Sequence, residues 1–140
     1  QEDRSSVERI ASGSFVYSRF HLDPAIPDEL ANNIKGKWAG NYFDGRRGSN
    51  MIVAEAEGTI AGFLQLLRHE DVLTIDLIAV EHGFRRREAA ADMISYAVRQ
   101  LGGISAVRVG TQIANIPAMR MYMRMGFSVS DAQYVLHCHR

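Results

Sequence analysis

Hydrophobic positions along this chain change period several times, and each change marks the edge of an element. Val7, Ile10, Ala11 and Phe15 recur at helical spacing and predict a first helix. The two prolines of His21-Leu-Asp-Pro-Ala-Ile-Pro forbid it from continuing. Asp28 reads as the N-cap of a second helix with Leu30, Ile34 and Trp38 on one apolar stripe, ended by Asp44-Gly-Arg-Arg-Gly. Met51 to Glu55 and Ile60 to Leu67 are β-rich runs, with Glu57-Gly58 between them as a hairpin turn. Val72 to Val80 is nearly continuous in apolar residues except for Asp76, as in a central strand buried on both faces. From Glu88 the helical period returns in Met93, Ile94, Ala97, Val98 and Leu101, and Gly102-Gly103 supplies the stop. Ala106 to Thr111 predicts another strand, with Val107 and Val109 alternating against Arg108. Pro117 fits the first turn of a last helix whose Met119, Tyr122 and Met123 share a face, and Gly126 fits the position past its end. Phe127 to Val129 and Gln133 to His139 close the pattern as two short strands.

Helix, helix, three strands, helix, strand, helix and two strands imply a three-layer α/β/α arrangement around a central sheet that starts antiparallel. The chain has 140 residues, a length that buries roughly 68% of the unfolded surface, so residues 1–140 read as one domain. No apolar run reaches the length a membrane helix needs, and QEDRSSVERI holds no apolar segment for a secretory signal, so the expected location is cytoplasmic. The first residue is Gln, which suggests a trimmed chain with an element before it. The single cysteine, Cys138, has no partner for an internal disulfide and no neighbours at zinc-ligand spacing, so it reads as structural and no metal is expected.

Charge changes this picture more than composition does. Residues 1–76 hold 8 Lys/Arg and 12 Asp/Glu, whereas residues 77–140 hold 8 Arg and 4 acids. The second half therefore carries the field that attracts anions. Overall neutrality and scarce lysine exclude a nucleic-acid partner. Within that half, Ile75-Asp-Leu-Ile-Ala-Val-Glu-His-Gly-Phe-Arg-Arg-Arg-Glu-Ala-Ala reads as strand, short turn and helix opening. Unpaired N–H groups and the positive end of the helix dipole point out of such a turn, and Arg85, Arg86 and Arg87 add formal charge beside them. A phosphate or pyrophosphate is the ligand this pattern suits, although a basic tripeptide at a helix start is also a common solvated surface.

Val80 to Ile94, VEHGFRRREAAADMI, resembles the acetyl-CoA-binding motif of the GNAT acetyltransferases, Val-x-Pro-x-(Tyr/Phe)-Arg-Gly-x-Gly-x-Gly/Ala followed by a helix. Asn115-Ile-Pro-Ala-Met-Arg-Met-Tyr-Met-Arg-Met-Gly-Phe is similar to that family's Asn-x-x-Ala-x-x-Leu-Tyr-x-x-x-Gly-Phe. The resemblance covers residues 50 to 140 and implies the three-layer fold with a mixed, mostly antiparallel sheet, acetyl-CoA as co-substrate and a small-molecule amine as acceptor. It further implies that backbone N–H groups of Arg85, Arg86, Arg87, Glu88, Ala89 and Ala90 hold the pyrophosphate, that pantetheine pairs with the strand edge at Ile78, Ala79 and Val80, and that Asn115, Ala118 and Tyr122 line the CoA chain. The sequence departs from the motif where Arg86 and Glu88 replace glycines.

Acetyl transfer to an amine needs a neutral amine, a donor to the developing oxyanion and an acid for the departing thiolate. The resemblance implies Tyr122 for the acid, since a phenol with a reference pKa of about 10 is protonated at neutral pH. It implies a backbone N–H near Ala79 or Val80, at a strand bulge, for the oxyanion. Either His21, in the proline-containing loop, or Asp76, on the strand beside the cofactor, is the candidate base, with His21 first. His69, His137, His139 and bound water remain alternatives. Ser18-Arg-Phe-His-Leu-Asp, Gly62-Phe-Leu-Gln-Leu-Leu and Val109-Gly-Thr-Gln-Ile-Ala-Asn are similar to the branch of the family that acetylates nucleotide-linked amino sugars. On that reading Gln65, Asp76 and Gln112, with His21, bind the acceptor; ordinary cross-strand hydrogen bonding is the competing role. A protein amino terminus, a polyamine, or a non-catalytic acyl-CoA-binding module are the other functions in view, and a homodimer is left open.

Overall fold

Glu57 and Gly58 both take positive φ, +55° and +77°, the left-handed pair that folds two strands back with the twist they already have. They join β1 (Asn50–Ala56) to β2 (Thr59–His69) in a computed structural model that describes residues 2–48 and 50–139, apart from the side chains of Glu2 and of Arg85, Arg86 and Arg87. The remaining elements are α1 (Glu2–Ser14), α2 (Asp28–Gly40), β3 (Val72–Val80), a 3-10 helix (His82–Arg87), α3 (Ala89–Leu101), β4 (Ala106–Val109) and α4 (Ile116–Arg124). The sheet order is β1-β2-β3-β4, antiparallel in its first two pairings and parallel between β3 and β4. This is the mixed, mostly antiparallel sheet expected.

The sheet separates two apolar clusters. On one face Val7, Ile10 and Ala11 of α1 and Ala39 of α2 meet Phe63, Leu77 and Ala79. On the other, Met93, Ile94 and Ala97 of α3 and Tyr122 of α4 meet Leu64, Leu66, Leu73 and Ile75. Leu73 and Ile75 thus face one way and Leu77 and Ala79 the other, although all four are odd-numbered. The reason is a one-residue slip: Leu66 pairs with Ile75 and Gln65 with Leu77, which leaves Asp76 as an extra residue in β3. A bulge of this kind reverses the faces beyond it, and it explains why the strand reads as an unbroken apolar run.

Several expectations need correction. Pro27, with no side-chain cap bond, occupies the N-cap of α2, and Asp28 falls in the first turn, where its charge complements the helix dipole. The buried face of α2 is Ala31, Lys35, Gly36, Ala39 and Gly40, while Leu30 is half exposed. α1 lies so close that a methyl added at Gly36 would strike Ser12 Oγ and one at Gly40 would strike Glu8 Oε1. Small residues win the contact because they let the backbones approach. On α4 Tyr122 is buried, with Ala118, Met121 and Met125 packed inward, whereas Met123 is exposed. β4 ends at Val109 rather than Thr111. The two closing strands are not formed among the described residues: 127–139 has no regular structure, and Tyr134 and Leu136 are almost wholly exposed.

Candidate active site

Pairing between β3 and β4 runs only from Val72↔Ala106 to Ile75↔Val109. It stops one residue before the bulge at Asp76, where β3 bends, and β3 then continues to Val80 beside β2 alone. The bulge expected near Ala79 and Val80 is therefore at Asp76; Phe63↔Ala79 and Gly62↔Val80 are regular pairs. From Leu77 onward, the edge of β3 that faced β4 opens on a gap at the carboxyl ends of two parallel strands. Ligands of α/β sheets occupy this kind of position. Ile78, Ala79 and Val80 supply the backbone of that edge.

The chain leaves β3 through Glu81 into the 3-10 helix and enters α3 at Ala89. Phe84 N–H donates to Glu81 C=O over 2.8 Å, and Asp92 N–H donates to Glu88 C=O over 3.0 Å. The N–H groups of Ala89, Ala90 and Ala91, lying before the first such bond, have no intrahelical acceptor and carry the positive end of the α3 dipole. Glu88, the N-cap residue, has φ +56° and ψ +17° and makes no capping bond with its side chain. It thus adopts the left-handed conformation that glycine takes without cost, at a position where the motif has glycine. The roles expected of the Arg85, Arg86 and Arg87 side chains lie outside the described residues.

Asn115 is the N-cap of α4, its side chain accepting from Ala118 N–H over 3.3 Å. Tyr122, about two turns on, shares the apolar cluster with Ile75, Ile78, Val80, Phe84, Ala89, Ala90 and Ala118. Its ring lies 5.3 Å from that of Phe127, it is 6% exposed, and burial pushes its phenol up to about 12. The hydroxyl has no hydrogen-bond partner among the described residues, and its raised pKa keeps it a protonated donor.

On the opposite face Asp76 accepts from Trp38 Nε1 (3.0 Å), Tyr42 Oη (2.8 Å) and Arg47 Nε (2.5 Å) and Nη2 (2.6 Å). Burial opposes its charge, but the hydrogen bonds from Arg47, Trp38 and Tyr42 outweigh that and hold it below the ordinary carboxylate range. Such a carboxylate is an anchor and a weak proton acceptor. His21 contacts Ser18 Oγ within its own loop through Nδ1 (2.6 Å) and Asn32 Oδ1 of α2 through Nε2 (2.7 Å), so both ring nitrogens are engaged and one of them ties the loop to α2. Gln65 is fully buried, its Nε2 donating to Ala39 C=O over 2.8 Å, which closes it to an acceptor. Gln112, half-buried in the loop after β4, accepts Asn115 N–H over 2.9 Å through its backbone carbonyl. His137 and His139 both contact Asp23 Oδ2, at 2.5 and 2.8 Å, which moors the C-terminal segment to the α1–α2 loop. His69 and Cys138 are exposed.

The sequence pattern gives no site role to Lys35, Tyr42 or Arg47, and gives Trp38 only a place on the apolar stripe of α2. Arg47 lies 4.4 Å over the Trp38 ring, and Lys35 Nζ lies 4.8, 5.0 and 5.9 Å from the rings of Trp38, Phe15 and Phe20. The available signal was the i, i+3, i+7 spacing of Lys35, Trp38 and Tyr42 on one helix face. Two surface cavities, about 560 and 350 Å³, are lined by residues of β2 with Arg47 and by residues of α1 and α2, respectively. Neither is lined by Tyr122 or by the N-terminus of α3.

A model of the acetyltransferase (GNAT) family matches residues 14–127. The chain is 34% identical over 137 residues to the spore coat polysaccharide biosynthesis protein SpsD of Bacillus subtilis, covering 96% of this chain and 47% of that protein. It is 28% identical over 142 residues to a dTDP-fucosamine acetyltransferase of Escherichia coli, covering 98% of this chain and 60% of that protein. It therefore spans about half the length of the curated relatives it matches. Its fold is similar to that of the ribosomal-protein-S18-alanine N-acetyltransferase of Escherichia coli, with TM-score 0.67, 17% identity, and coverage of 92% of this chain and 74% of that one.

Proposed function

The chain belongs to the acetyltransferase (GNAT) family, and from that premise we propose that it transfers the acetyl group of acetyl-CoA to a primary amine, with a nucleotide-linked amino sugar as the acceptor. The observation that chiefly supports the reading is the parting of β3 from β4 beyond Ile75 and Val109, on a strand whose Ile78 and Val80 share one apolar cluster with Phe84, Ala89, Ala90 and Tyr122. The residues present fit the co-substrate. N–H groups at the start of α3 suit its pyrophosphate, Glu88 has the left-handed backbone that glycine takes readily, and the stretch of β3 beyond its pairing with β4, Ile78 to Val80, suits a chain of amides.

In this reading the amine attacks the thioester carbonyl directly. The carbon–sulfur bond breaks, and Tyr122 Oη supplies a proton to the departing thiolate; its high pKa keeps that proton in place until sulfur carries charge. A β3 backbone N–H near Ala79 donates to the oxyanion. Because Asp76 and both nitrogens of His21 are engaged, bound water takes the proton released by the amine. The names of the two curated relatives, one in polysaccharide biosynthesis and one acting on dTDP-fucosamine, support a sugar acceptor. Balanced net charge and the absence among the described residues of a helix able to cross a membrane agree with an activity on small molecules. Cytoplasmic location belongs to the same reading.

Tyr122→Phe tests it. Turnover is expected to fall about tenfold or more while acetyl-CoA binding by calorimetry stays within about twofold. Equal losses in both would make Tyr122 a packing residue, and coenzyme binding without turnover on any amino sugar would make the chain a binding module.

A further inference from the structure

Lys35 is 9% exposed, and burying an ammonium is costly unless something answers its charge. The rings of Phe15, Phe20 and Trp38 answer part of it. Among the described residues Lys35 has neither a carboxylate nor a hydrogen-bond partner. The one fully occluded side-chain polar atom without a partner among the described residues is Gln65 Oε1, so Lys35 Nζ retains a point of access. The charged groups acting on it are Asp76, Arg19 and Arg47. Asp76 is already bound by both nitrogens of Arg47, while Arg19, over the ring of Phe20 at 4.9 Å, has no carboxylate partner among the described residues. Three cations face one carboxylate, which leaves a local excess of two positive charges. Burial also pushes the Lys35 ammonium down from its ordinary value, so a bound anion would favour its charged form.

The site stands on the α1–α2 face of the sheet, beside Asp76 and hence beside the start of the gap, across from the α3 N-terminus assigned to the coenzyme. From this placement we infer that Lys35, with Arg19, is a subsite for the diphosphate of the acceptor, and that the aromatic walls of Phe20 and Trp38 border the group attached to it. The inference rests on the acetyl-transfer reading for the word acceptor, and on charge and burial for the rest. It makes an amine bearing two negative charges the preferred substrate and a polycation a poor one.

The test uses the protein with its coenzyme site saturated by CoA, so that pyrophosphate cannot bind there. Calorimetry is expected to detect inorganic pyrophosphate binding that Lys35→Met weakens about 30-fold, the value of one charge-assisted contact, and that Lys35→Arg retains in part. In turnover assays the ratio of kcat/KM for a nucleotide-diphosphate amino sugar to that for the unphosphorylated amino sugar is expected to drop by a similar factor in Lys35→Met. Undiminished pyrophosphate binding, malonate binding as tight as pyrophosphate, or a ratio that does not move would each overturn the assignment. Pyrophosphate binding that needs Lys35 in a protein that acetylates no amine would uphold the subsite and refute the transferase reading instead.

Discussion

Replacing Asp76 by Asn keeps the shape of the side chain and removes the charge that Arg47, Trp38 and Tyr42 converge on. Asp76 is 7% exposed in its side chain and Arg47 36%, so the pair is half screened and its worth must be discounted. An amide can still accept from Trp38 or Tyr42, but its NH2 opposes the guanidinium, and two charge-assisted bonds are lost. At about 1.5 kcal/mol each, the low end for bonds to charged groups, the expected loss is about 3 kcal/mol, or about 10 °C in Tm for a chain of this size. The pH dependence gives an independent check. The folded-state pKa of Asp76 lies below its ordinary 3.8, so its contribution is present in full above that value and disappears as pH falls through the folded-state value. Urea titrations of both proteins should therefore show a constant gap between pH 5 and 8 that narrows only below about pH 4. A gap under about 1 kcal/mol at pH 7, or one that persists unchanged in acid, would refute the anchor role. Kinetics separate anchor from base: kcat should fall while the acidic limb of its pH profile stays where it is, and disappearance of that limb would make Asp76 the proton acceptor.

Glu88→Gly should tighten CoA binding about three- to tenfold by removing a carboxylate from the anion turn, with stability changed by less than about 1 kcal/mol, because relief of the left-handed backbone offsets the freedom glycine gains when unfolded; weaker CoA binding by calorimetry would contradict this. Gly36→Val forces a branched side chain into Ser12 and should cost about 2 kcal/mol in thermal melts, and an unaltered Tm would mean that α1 and α2 do not touch there. Gln65→Leu exchanges one bond to Ala39 C=O for the removal of a buried oxygen that lacks a partner, so stability should stay within about 1 kcal/mol, and a large rise in the acceptor KM would return Gln65 to the binding site.

Much of the layer order was legible because it depends on local period. Met93, Ile94 and Ala97 are the buried face of α3 as their spacing implied, the run Val72–Val80 is β3 to the residue, and Glu57-Gly58 turns the hairpin. The start of the anion turn could likewise be placed from the strand-to-helix change near Glu88. Where bulk was taken as the guide to burial, the reading failed at Leu30: it outranks Gly36 and Gly40 in hydrophobicity, yet the approach of α1 selects the glycines, while Trp38 packs against the core from their flank. Gln133 to His139 has the composition of a strand, but a strand exists only where another offers its edge.

The amino-acid order alone determined the succession of helices and strands from α1 to α4, the hairpin turn at Glu57-Gly58, and the two motifs that mark the family, since each of these is settled within a few neighbouring residues. The slip that isolates Asp76, the gap it leaves between β3 and β4, the left-handed backbone of Glu88 and the aromatic enclosure of Lys35 were decided only in three dimensions. Each depends on residues tens of positions apart meeting across the sheet, where register and close packing, rather than local preference, choose which groups are satisfied and which are left for a ligand.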